Sequence, residues 1–100
     1  WVDYSGPVEG GTVGIAMFDA PENPRYPTPW HVRDYGLFAA NPLGYHDFGL
    51  EGKKLDAIEK GGSLPFHYRI ILHEGGAKDA SIPEQYEAFA HPPKVTVKEQ

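Results

Sequence analysis

No cysteine occurs in the 100 residues, so no disulfide can support the core of so short a chain, and nothing about redox compartment can be read from it. No apolar run approaches the roughly eighteen residues that a spanning helix requires. The expectation is a soluble protein, periplasmic or secreted if the full-length chain carries a signal peptide. A basic excess is missing too: the formal charge is -5 with both signs interspersed, which argues against a nucleic-acid partner and against an anionic membrane surface. Metal-ligand spacings of the HxH, HExxH or CxxC kind are absent, so neither a metal nor a cofactor is expected. Trp1 follows no initiator Met and no charged n-region, and a chain that opens in mid-strand needs an earlier partner. Residues 1–100 therefore read as a single partial domain.

What is present is chiefly strand patterning. Trp1-Val2-Asp3-Tyr4-Ser5 reads as a short strand closed by Gly6-Pro7, and Thr12 to Phe18 as a better one. In the second, Val13, Ile15 and Met17 share a face, while Thr12, Gly14 and Ala16 are small enough for another layer to approach. Gly10-Gly11 is a turn signal, so residues 1–18 are expected to form a hairpin. Residues 19–29 carry four prolines in eleven positions, which excludes helix and central strand and favours a stiff, extended loop.

That loop leads into Trp30-His31-Val32-Arg33-Asp34-Tyr35-Gly36-Leu37-Phe38-Ala39-Ala40-Asn41-Pro42, the densest chemistry in the chain. An imidazole, a guanidinium, a carboxylate, a phenol and an amide fall among aromatic residues, as in a strand that faces a ligand. Continuous strand geometry would put His31, Arg33 and Tyr35 on one face, with His31 and Arg33 about 6.6 Å apart along it. Arginine offers a planar fork of donors and histidine a proton near neutral pH. The alternative is an ion pair of Arg33 with Asp34 or a glutamate. Asn41 is either a turn former or a ligand contact.

Lys53 to Lys60 could form a short helical turn with Leu55 and Ile58 inward. Ser63 to His73 is the clearest strand: Leu64, Phe66, Tyr68, Ile70 and Leu72 make an apolar face expected to lie on the core, opposite Pro65, His67, Arg69 and His73. His67 and His73 would stand roughly 20 Å apart and cannot share one metal. Ser81-Ile82-Pro83-Glu84 is a capping-box pattern, and Ile82, Tyr86 and Phe89 recur at helical spacing before His91-Pro92-Pro93. Lys94 to Lys98 alternates as a last strand.

The runs Trp1 to Gly6, Gly14 to Asp19, Asn23-Pro24-Arg25 and Trp30 to Pro42, with Tyr68 to Gly75 and the pair Tyr86 and Phe89, resemble the bacterial PmoA-like family. Members bear the name methane oxygenase PmoA and are usually much longer, which implies that residues 1–100 are the C-terminal portion. The resemblance implies a mainly β fold: a large antiparallel β-sandwich similar to mutarotase-like supersandwiches, with one short C-terminal helix. Particulate methane monooxygenase is a membrane copper enzyme, so the name is read as inherited, and carbohydrate binding on a concave sheet is the more credible implication.

Two functions follow from that resemblance. In a carbohydrate-active enzyme, His31 is the acid/base candidate, Arg33 and Asn41 orient sugar oxygens, and His73 or Asp34 is the second proton-transfer group. In a non-catalytic sugar-binding module, Trp30 and Tyr35 stack on the ring and the polar residues select it. An oxygenase is a third reading, carried by the family name alone.

Overall fold

The computed structural model describes residues 1–44 and 58–92. The expected helical turn at Lys53 to Lys60 lies outside them except for 58–60, which are not helical, and the expected strand at Lys94 to Lys98 lies outside them entirely. Among these residues the fold is mainly β, with antiparallel sheets and one short helix, and no described helix is long and apolar enough to cross a membrane.

Strands β1 (Val2–Val8) and β2 (Gly11–Asp19) form the expected hairpin. Glu9 and Gly10 both have positive φ, at 47° and 84°, the conformation a two-residue turn needs to match strand twist. β1 runs through Gly6-Pro7 rather than stopping there. It is an edge strand of the sheet, where the missing proline N–H costs no ladder bond.

Two short strands follow, β3 (Trp30–Val32) and β4 (Phe38–Ala40), paired to each other in a separate two-stranded sheet. β5 (Tyr68–Glu74) then pairs with β2, so the larger sheet has the order β1-β2-β5. β5 starts five residues later than its alternating pattern predicts. The Asn23 side chain explains the delay, because it takes both backbone groups of His67, donating to its carbonyl and accepting from its N–H at 2.7 Å each.

The helix α1 (Ile82–Ala90) is where expected, but Ser81 does not cap it. Ser81 sits at φ 54°, ψ 40°, instead of the extended conformation from which an N-cap hydroxyl reaches the first turn. Gln85 contributes at this end instead, donating from Nε2 to the Ala80 carbonyl at 2.7 Å. Ile82 and Tyr86 close over Ala16 and Phe18 to make the core, flanked by Ile71 and Phe89. Burying Phe18 and Ile82, each fully covered, contributes about 1.5–3 kcal/mol apiece.

This packing reverses the expected orientation of β5. The register joins Ala16 to Ile71 and Gly14 to His73, so the face carrying Arg69, Ile71 and His73 is the one beneath the helix. The face expected to lie on the core is open: Ile70 and Leu72 are 60% and 76% exposed, and Ile15 beside them 39%. Alternation separates the two faces of β5, and the helix covers the side of the sheet that offers small residues, Gly14 and Ala16, on the central strand. That is the layer contact their size allows.

Candidate functional site

The loop between β2 and β3 is neither helix nor strand, as its prolines require, but it folds back in consecutive turns instead of running extended. Asn23 N–H bonds to Ala20 O at 3.0 Å and Tyr26 N–H to Asn23 O at 3.1 Å, followed by a cis Tyr26–Pro27 bond. The turns wrap a buried carboxylate. Asp19 is 2% exposed and accepts from Asn23 Nδ2 at 2.7 Å and from the Thr28 N–H at 3.0 Å. Tyr86 on the helix donates to the Asp19 carbonyl at 2.9 Å, and its oxygen lies 3.2 Å from that of Tyr26. Burial first, and then the Tyr26 hydroxyl, push the Tyr86 phenol well above its ordinary value, so it stays a neutral donor. These bonds fix the direction in which the chain enters β3.

β3 ends at Val32, so His31, Arg33 and Tyr35 do not lie along one strand. Arg33 to Gly36 form a tight turn closed by Arg33 N–H to Leu37 O at 2.8 Å and Gly36 N–H to Arg33 O at 3.3 Å, with Gly36 at φ 106°. The turn is tied to the larger sheet by a single phenol. Tyr4 on β1 donates its hydroxyl to Arg33 O at 2.7 Å and accepts from Gly36 N–H at 3.0 Å, while its ring stacks on Phe38 at 5.5 Å. Trp30 stacks behind Phe38 at 6.4 Å. Since Trp30, Val32, Phe38 and Ala40 share the hairpin face that meets Tyr4, alternation turns His31 and Ala39 to the other side.

Between the turn and the open sheet face lies a concavity of about 960 Å³. Tyr4, Gly6, Val8, Val13, Ile15, Leu72 and Glu74 come from that face by register, and Asp34 reaches it from the turn. Of the seven candidate residues, Asp34 and His73 border this concavity, His73 with its side chain on the other face of β5 by register, and Trp30, His31, Arg33, Tyr35 and Asn41 do not. Tyr35 is 77% exposed at the tip of the turn. Arg33 Nη1 donates to the carbonyl of Val32 at 2.8 Å, and no ion pair with Asp34 forms. Asn41 acts as a turn former: its N–H bonds to Pro29 O at 2.8 Å, its carbonyl accepts from Gly44 N–H at 3.1 Å, and its amide fills the space a Gly44 side chain would need.

His73 belongs to the opposite face. Its ring passes over Gly14, where a Cβ would come within 2.5 Å of Cε1, and its Nε2 meets the Asp3 carboxylate on the far edge strand. Both side chains are nearly closed to solvent, 5% and 7% exposed. The hydrogen bond to Asp3 raises the imidazole above its ordinary value against the opposing effect of burial. Among the described residues, no three His, Cys, Asp or Glu side chains gather as a metal site would require.

Sequence reasoning gave no role to Tyr4, Glu74 or the Asp19 and Asn23 pair. Tyr4 and Glu74 become visible only once register is known, since it aligns Tyr4 with Ile15 and Leu72, and Glu74 with Val13. A family of unknown function, DUF6807, has a model that matches residues 1–87. No curated protein and no solved structure matches the chain.

Proposed function

The chain belongs to the DUF6807 family, and we propose that it binds a sugar or sugar derivative in the concavity between the sheet face and the Asp34 turn. The observation that carries this reading is the combination of an apolar floor, Ile15 and Leu72, with a carboxylate held above it by the Tyr4 clamp. A pyranose presents C–H faces that lie on apolar surface and a rim of hydroxyls that donate to carboxylates, so it matches both parts. The resemblance to the PmoA-like family and to sugar-binding β-sandwiches points the same way, and in that reading the two sheets described here belong to a larger sandwich.

The geometry favours binding over histidine-based turnover. Histidine acid/base catalysis would need the imidazoles at one ligand, whereas His73 Nε2 is committed to Asp3 and His31 alternates away from Tyr4. Titration of monosaccharides into the protein, followed by calorimetry, tests the proposal. Asp34→Ala should weaken binding by about tenfold or more, as expected for a lost charge-assisted hydrogen bond. His31→Gln should leave binding unchanged. Unaltered affinity in Asp34→Ala removes the site assignment, and loss of a sugar-converting activity in His31→Gln would turn the reading toward the enzyme.

A further inference from the structure

We infer that the ligand of this concavity carries no negative charge: its polar end is a set of hydroxyls or an ammonium group that donates to Asp34 and Glu74. The inference rests on the concavity being a ligand site and goes beyond it by fixing the charge class and the groups that select it. Four residues of its described lining carry ionisable side chains, namely Tyr4, Asp34, His73 and Glu74. Two of them are already occupied. The Tyr4 hydroxyl both donates to and accepts from the hairpin turn, and the His73 ring lies across Gly14 on Asp3, on the helix side of the sheet.

The remaining two are both acceptors. Neither the Asp34 nor the Glu74 carboxylate makes a hydrogen bond or ion pair with any described residue. Arg33, although adjacent to Asp34, directs its guanidinium to the Val32 carbonyl. An anion entering here would give up hydration against two carboxylates without a partner among the described residues, over an apolar floor, and of the described lining side chains only the Ser5 hydroxyl, on the other face of the sheet by register, is left to donate in place of its water. A hydroxyl pair or an ammonium instead finds acceptors with free lone pairs and brings its own donors. Charge complementarity therefore excludes uronates and sugar phosphates and admits neutral sugars and amino sugars.

The test uses one ring skeleton in three charge states, glucose, glucosamine and glucuronate, beside cyclohexanol, cyclohexylamine and cyclohexanecarboxylate. All are titrated near pH 6, where the amines are charged and the carboxylates ionised. Glucosamine and glucose should bind at least about tenfold tighter than glucuronate, and the gap should narrow with added salt. Asp34→Asn combined with Glu74→Gln should abolish the discrimination. Glucuronate binding as well as glucose, or discrimination that survives the double substitution, overturns the inference while leaving the sugar reading in place. Binding of the cyclohexyl series alone, in the same order of charge, removes the sugar reading and leaves the inference standing. No binding by any of the six overturns both.

Discussion

Gly14→Ala isolates the contact that joins the two edge strands of the larger sheet. The added methyl would lie 2.5 Å from His73 Cε1, 2.6 Å from Nε2 and 3.0 Å from Ser5 Cβ. The imidazole can rotate away, so the steric clash itself is cheap, but rotation breaks the His73–Asp3 bond. A charge-assisted hydrogen bond between two nearly buried groups is worth about 1.5–3 kcal/mol. Replacing glycine by alanine in a strand recovers about 0.5–1 kcal/mol of backbone entropy. The net cost should be about 1–2 kcal/mol in denaturant unfolding of the protein. In a His73→Ala background the ring is gone and only Ser5 Cβ, at 3.0 Å, has to give slightly, so the same substitution should be close to neutral or stabilising by up to about 0.5 kcal/mol. The double-mutant cycle reads this change of sign directly. Equal destabilisation in both backgrounds would refute the argument, because the cost would then come from the backbone or from Ser5 and not from the histidine.

Two further outcomes follow from the same contacts. Tyr4→Phe keeps the stack on Phe38 but removes both hydrogen bonds to the turn, each worth about 0.5–1.5 kcal/mol and less where water competes. Ligand titration should show weakened binding as Asp34 loses its placement, with the unfolding midpoint moving little; unchanged affinity would separate the clamp from the site. The His73–Asp3 pair should also make stability depend on pH. Because the folded imidazole titrates above its ordinary 6.5, its contribution is fully present below 6.5 and is lost as pH rises through the raised folded value. Unfolding of the protein and of Asp3→Asn compared across that window should differ most on the acid side, and a gap that widens toward alkaline pH would contradict the assignment.

Much of the fold is local and was therefore legible. The β1–β2 hairpin depends on a two-residue turn and on alternation, and α1 on Ile82, Tyr86 and Phe89 at helical spacing, all of which are visible in a few adjacent residues. The failures fall where distant residues compete with local pattern. Asn23, 44 residues away, takes the backbone of His67 and delays β5. Ser81 has the composition of a cap but not its backbone angles, because the preceding turn sets them: Ser81 N–H bonds to Lys78 O and Ile82 N–H to Ala77 O. The reversed face of β5 has the same origin. Alternation says that two faces differ, but only the packing partner says which one is covered, and the helix settles on Ala16 and Ile71.

The candidate site follows this rule closely. Reading Trp30 to Tyr35 as one strand gathered His31, Arg33 and Tyr35 on a single face, and Gly36 at positive φ breaks that face by turning the chain after Val32. The turn carries Asp34 toward the sheet, where Tyr4 holds it, and leaves Tyr35 at the tip. Chemistry dense in sequence is thus divided in space, and chemistry sparse in sequence is brought together: Asp34 with Glu74, forty positions apart, and His73 with Asp3, seventy positions apart. The two pairs lie on opposite faces of one sheet and carry opposite consequences. The covered pair is an imidazole matched to a carboxylate, which holds the strands together and is nearly closed to solvent. The open pair is two carboxylates with no match among the described residues, which is why the proposed ligand is one that brings its own donors.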